Sequence, residues 1–210
     1  LDGSKVMIDN CVFTHNWASP DYFGASCIAT MNKCELNIEK SLFTENVAGG
    51  ALIGVGYRQN EETECKITIN NTNFIDNLFD NCYALLSTHG LSKITKFNLS
   101  IDKCTFFRNR AVETFGGGIV DFGCGGYLKI SNSTFVENKN KDNYWDVGLF
   151  RLGNGGEYEF INNTLINNRS LDHSVFEIQD KNNSIKMYGN IICMESTDDL
   201  AFRNPEKSQH

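Results

Sequence analysis

The groups best able to do chemistry in this chain recur at a fixed interval. Glu45, Asp76 and Arg108 each stand two residues after a repeated phenylalanine, and His15, Glu137 and Asn167 extend the set. Two carboxylates with a neighbouring cation are the minimum equipment for acid–base work on a glycosidic bond. The same pattern is also what a solvated row of alternating charges looks like on a repeat protein, and that is the expectation adopted here. A second row, four residues before each phenylalanine, holds Asp9, Glu39, Asn70, Asp102 and Ser131. The histidines His15, His89, His173 and His210 fall at unrelated repeat positions, so no zinc ligand set is expected. Calcium would need several converging oxygens, and nothing in the spacing demands it. No catalytic residue, metal ligand or cofactor is therefore assigned from the sequence.

Positioning such rows requires a repeat, and the chain has one. A phrase of alternating apolar residues followed by F-x-x-N begins at Val6, Leu36, Ile67, Leu99, Leu128 and Tyr158, with a worn copy at Ile185. Its anchors are Phe13, Phe43, Phe74, Phe106, Phe135, Leu165 and Ile192, about thirty residues apart. A second, apolar phrase follows each anchor, clearest as Gly49-Gly50-Ala51-Leu52-Ile53 and Gly116-Gly117-Gly118-Ile119-Val120. Period-two alternation rich in isoleucine and valine specifies strands, and the intervening Asn, Asp, Ser and Gly specify turns. Strands separated by such short corners cannot pair within one repeat, so they must pair with their equivalents in the next. The expected fold is all-β: a right-handed single-stranded parallel β-helix of about seven coils over residues 1–200, with a polar C-terminal tail at 201–210. Coil spacing near 4.8 Å then gives a rod roughly 30 to 35 Å long.

Stacking brings equivalent side chains into columns. The phenylalanines form one inward column. Asn16, Asn46, Asn77, Asn109, Asn138 and Asn168 form another, read as a structural amide ladder. Cys34 and Cys65 share a repeat position and would lie about 5 Å apart, inside the disulfide window. Cys27 is an alternative partner for Cys34 across the short corner between them. Cys11 and Cys104 share a position but lie three coils apart, too far to bridge.

Eight cysteines without a C-x-x-C pair, together with six N-x-S/T sequons, point to an oxidising, secretory setting. The sequons are Asn70, Asn98, Asn132, Asn162, Asn168 and Asn182, and N-linked glycans are the expected modification. Asn168 is also a ladder position, and a buried ladder excludes a glycan. The formal charge of −7 argues against nucleic acid and acidic lipid as partners. No stretch is long and apolar enough to span a bilayer as a helix. Trp17, Tyr22, Phe23, Phe79, Phe115, Tyr144 and Trp145 fall between F-x-x-N and the following apolar strand, where they would gather along one edge. Trp17, Tyr22, Phe23, Tyr144 and Trp145 are the candidate contacts for a sugar or a partner protein.

Phe43/Asn46 with the Gly49–Ile53 phrase, and Phe106/Asn109 with the Gly116–Val120 phrase, resemble the F-x-x-N/G-G-A repeats of polymorphic outer-membrane proteins. The resemblance implies a pectin-lyase-like β-helix at a cell surface, with adhesion and self-association as its business. The expected role is a non-enzymatic, extracellular structural or adhesive glycoprotein segment that forms filaments or joins head to tail. The alternative is a polysaccharide lyase, hydrolase or glycan-binding module of the same fold.

Overall fold

The computed structural model describes residues 3–18, 25–31, 33–56, 64–80, 84–88, 96–114, 118–123, 126–143, 148–153, 155–169, 174–194 and 200–203. Every regular element among them is a strand, and every paired strand is parallel to its neighbour. The first sheet is built from the alternating phrases, in the order Lys5–Asp9, Cys34–Glu39, Glu64–Asn70, Lys96–Asp102, Tyr127–Ser131, Glu157–Ile161 and Ser184–Tyr188. The second is built from the anchor tripeptides, Val12–Thr14 through Ile191–Cys193, again seven strands deep. The third collects the apolar phrases from Ala25–Met31 to Leu200–Arg203. The boundary expected at residue 200 thus falls within a strand of this sheet. A fourth, smaller sheet joins Val47–Ala48, Leu78–Asp80, Arg110–Thr114 and Lys139–Asn143, a set of strands the repeat phrases did not announce. The molecule is a parallel β-solenoid.

The register is the repeat made physical. Phe13 pairs with Phe43, Phe43 with Phe74, Phe74 with Phe106 and Phe106 with Phe135. Their rings stack with centroids 4.5, 5.0, 4.8 and 4.5 Å apart and within 12° of parallel. Leu165 and Ile192 continue the column. A second aromatic stack, Phe150–Phe176–Phe202, rises from the third sheet, and Phe150 meets Phe135 edge-on. Phe43, Phe74, Phe106, Phe135, Phe150 and Phe176 are all fully buried. Burial at this level stabilises by about 2 to 3 kcal/mol per ring before stacking is counted.

Two corners recur among the described residues. Each is a single residue in the left-handed region between two strands. Asn10, Lys40, Asn71, Lys103, Asn132, Asn162 and Gly189 make the corner from the first to the second sheet, at φ between 48° and 63°. His15, Glu45, Asp76, Arg108, Glu137 and Asn167 make the corner that follows the second sheet, at φ between 51° and 54°. The cost of this backbone for L-residues, about 1 kcal/mol each, is offset by bonds between coils. Lys40 N–H donates to Asn70 O at 3.1 Å, for example, and Glu45 N–H to Ile75 O at 3.2 Å. Where the corner residue is Gly189, a Cβ would collide with the Asn162 side chain.

Candidate functional site

Behind each corner runs a polar column that the coil cannot do without. After the second sheet it is the asparagine ladder. Asn46 Nδ2 donates to Asn77 Oδ1 at 2.9 Å and to the Phe13 carbonyl at 3.0 Å. Asn46 Oδ1 accepts from Asn16 Nδ2 at 2.8 Å and from the Asn16 backbone N–H at 3.0 Å. The same pattern repeats through Asn77, Asn109 and Asn138, and Asn168 accepts from Asn138 and donates to the Phe135 carbonyl. From Asn46 to Asn168 these amides are buried, and from Asn46 to Asn138 each side-chain NH2 makes two bonds. The Asn168 sequon lies inside this ladder, with Nδ2 donating to the Phe135 carbonyl at 2.7 Å, and leaves no space for a glycan.

The column behind the other corner went unseen in the sequence because its residue types differ. Cys11, Ser41, Thr72, Cys104, Ser133, Asn163 and Asn190 succeed one another there. Ser41 Oγ accepts the Cys11 N–H, Ser133 Oγ accepts the Cys104 N–H at 3.1 Å, and Asn163 Oδ1 accepts the Ser133 N–H at 3.0 Å. The hydroxyls of Ser41, Thr72 and Ser133 then donate to the carbonyl two residues back, at 2.8 to 2.9 Å. Cys104 is buried in this column, and burial pushes its thiol up to about 12. It is held as a protonated, unreactive group.

The charged rows lie outside. Arg108 closes on Asp76 at 2.7 Å and rests over the Phe107 ring, and His15 meets Glu45 at 3.0 Å. Glu45 and Asp76 therefore each take a cationic or hydrogen-bonding neighbour from an adjacent coil, as expected for a solvated mixed-charge row. On the first sheet Lys5 pairs with Glu35 and Lys186 with Glu159. The Lys5 bond, then that of Asn37, holds the Glu35 carboxyl below its ordinary range, and the bonds from Tyr127 and Lys186 do the same for Glu159. Asp102 is a stronger node. Burial works to raise its pKa, but bonds from Asn132 Nδ2 and Ser131 Oγ, both 2.7 Å, and the charge of Lys103 outweigh it and lower the pKa.

The third sheet holds the one charged column among the described residues that is largely buried. Ser87, Asp121, Arg151 and Glu177 are in register on successive strands. Asp121 is fully buried and Glu177 nearly so. Arg151 Nη1 lies 3.6 Å from Asp121 Oδ2. Glu177 accepts from Gln179 Nε2 at 2.8 Å and from the Gly148 N–H at 3.3 Å. The signs alternate, so a guanidinium stands between two carboxylates two strands, or about 10 Å, apart. Among the described residues this is the most deeply buried set of charged side chains in register.

Cys34 and Cys65 form a disulfide across adjacent coils, with Cα atoms 4.8 Å apart. Cys27, the alternative, is not the partner. Of the candidate aromatic contacts only Trp17 lies among the described residues, where it is exposed and bridged to Val47. Tyr22, Phe23, Phe115, Tyr144 and Trp145 lie outside them. Phe79 is fully buried, so it belongs to the core and not to an exposed aromatic edge. Asn132, Asn162 and Asn182 are exposed, while Asn70 and Asn98 are half-buried. Among the described residues no cluster of three or more His, Cys, Asp or Glu could hold a metal ion, and no helix is long and apolar enough to cross a membrane.

Fold and columns together define a parallel β-solenoid whose recurrent polar groups bond coil to coil. No protein-family model, curated protein or solved structure matches the chain. The likeness to polymorphic outer-membrane proteins rests on the motif residues alone.

Proposed function

We propose that this chain is a non-catalytic structural segment of an extracellular or cell-surface protein: a right-handed β-helix of seven coils whose two open faces take further coils of the same kind, from other copies or from more of the same chain. One observation carries the reading. The exposed large apolar side chains among the described residues are Met7, Val12 and Trp17 in the first coil and Tyr188, Ile191 and Phe202 in the last. Core rows also open at these ends: Phe13 and Asn16 are half-buried, whereas Phe43 and Asn46, their next equivalents, are fully buried. The repeat makes the two ends mutually complementary. Ile185, Met187 and Ile192 continue the columns that begin at Val6, Ile8 and Phe13, so one end can receive the other as an ordinary coil does. Support for a scaffold role comes from the ladders, which commit the recurrent polar groups to holding coils together. The cysteine bridge and the exposed sequons Asn132, Asn162 and Asn182 favour a secretory route, with glycans on the outside.

Sedimentation velocity over a hundredfold range of concentration tests the assembly. Species should grow with concentration, and Ile8→Lys, which places a charge on the open end, should hold the chain as a monomer. A monomer at every concentration defeats the reading. Intact mass of chain secreted from a eukaryotic host, before and after glycosidase treatment, tests the glycans.

A further inference from the structure

We propose that the row Arg110, Lys139 and Arg169 binds an acidic polysaccharide laid along the solenoid axis. Each of these residues directly follows a ladder asparagine, Asn109, Asn138 or Asn168, so the inward amide turns the next side chain outward. All three are exposed. They stand in register, Arg110 opposite Lys139 and Lys139 opposite Arg169. The backbone beneath them is fixed, because each N–H donates at 2.9 Å to the carbonyl of the ladder asparagine one coil earlier. Three cations therefore stand one above another over about 10 Å. Like charges directly opposite one another destabilise a sheet. The other rows avoid this: Lys5 faces Glu35, Asp76 faces Arg108 and Glu159 faces Lys186. Arg110, Lys139 and Arg169 have no ion-pair partner among the described residues. The corner beside the row carries Asp76, Arg108, Glu137 and Asn167. Asp76 and Arg108 answer each other, which leaves Glu137 as the remaining acid of that corner.

The chemistry of the row identifies its ligand. Two guanidiniums and an ammonium take sulfate or carboxylate groups, the guanidiniums two oxygens at a time. A row one side chain wide suits a ligand equally narrow, with acid groups recurring along its length. The chain as a whole is acidic, at −7, so a wide polyanion such as duplex nucleic acid would lie largely over repelling charge. A single nucleic-acid strand is held by bases stacked on aromatic rings, and the exposed rings among the described residues, Trp17, Tyr188 and Phe202, lie in the end coils. A single polysaccharide chain bearing sulfate or uronate groups meets both conditions. N-linked glycans leave the row open. The second sheet separates it from Asn132 and Asn162, and the Asn168 sequon, with Arg169 at its centre, is buried in the ladder. This site goes beyond the scaffold reading and stands whether or not the ends stack, since all three residues belong to one chain.

Fluorescence anisotropy with the full chain tests it, using labelled heparin oligosaccharide, labelled oligouronate and a labelled DNA single strand as probes. At least one of the two glycans should bind, more weakly as salt rises, and the tighter of them tells sulfate from carboxylate. Replacing Arg110, Lys139 and Arg169 together by Gln should lower that affinity by at least about tenfold. Replacing Lys33, Lys66 and Lys181 together by Gln removes the same charge from exposed positions elsewhere and should change it by less than about twofold. Lys139→Glu, which restores alternating signs, should raise the melting midpoint while it weakens binding. A higher midpoint with unchanged glycan binding, an equal loss from both triple variants, or no binding of either glycan would overturn the site. Tighter binding of the DNA strand than of both glycans would overturn it in favour of nucleic acid.

Discussion

Asn109 Oδ1 takes two hydrogens from Asn77, one from Nδ2 at 2.8 Å and one from the backbone N–H at 3.2 Å. This double bond of one residue to its equivalent in the next coil is the joint of the solenoid. Asn77→Ala strands the Phe43 carbonyl and removes the acceptor for both Asn46 donors. A loss of about 3 to 5 kcal/mol is expected in urea unfolding. Asn16→Ala, at the open end, should cost below about 1 kcal/mol in the same assay.

Phe74 is sandwiched between Phe43 and Phe106 and fully buried. Phe74→Ala should cost about 3 to 5 kcal/mol, and Phe74→Asp should abolish cooperative unfolding, because it places a charge in the same column. Phe13→Ala, with one ring neighbour in the column, should cost about half as much as Phe74→Ala, read from chemical denaturation midpoints.

The thiols should divide by burial. Native-state alkylation followed by peptide mass analysis should label Cys11 and Cys193, which are exposed, and spare Cys104. Replacing Cys34 and Cys65 together by serine opens a link spanning 31 residues and should lower stability by about 3 kcal/mol.

Arg151 separates two buried carboxylates. Arg151→Met should destabilise by about 3 to 5 kcal/mol at neutral pH, since it leaves Asp121 without its guanidinium. The triple change Asp121→Asn, Arg151→Met, Glu177→Gln should recover most of that loss in thermal unfolding. Failure to recover would mean the column does more than balance its own charge.

Asp102, Glu35 and Glu159 are all held below their ordinary range in the folded chain. A carboxylate lowered by folding stabilises above its unfolded pKa, and that stabilisation is lost as pH falls through the folded value. Stability should therefore decline below about pH 4. Asp102→Asn should flatten part of that decline in acid-titrated urea unfolding, and a slope identical to wild type would contradict the assignment.

The phenylalanine and asparagine columns were legible because both recur as the same residue at nearly constant spacing, and the disulfide followed from one of those spacings. The Ser41/Thr72/Ser133 column was not. Its members share an ability, a short side chain that accepts a neighbouring N–H, without sharing an identity. Asp121, Arg151 and Glu177 escaped for another reason. The inward residue of the third sheet follows its anchor by between ten and fifteen residues, as from Phe43 to Ile53 and from Phe135 to Phe150. That variable connection blurs any fixed interval. Phe79 misled because an aromatic in a connecting segment looks the same whether it faces solvent or, as here, a fourth sheet turns it inward.

Neighbouring coils meet like on like: ring on ring, amide on amide. A contact between identical partners asks nothing new of a duplicated unit. Copying one thirty-residue segment of the gene would add one layer whose upper and lower surfaces already match what they touch. Molecules of this kind can therefore lengthen by small increments, and the single-residue corners keep each increment the same height.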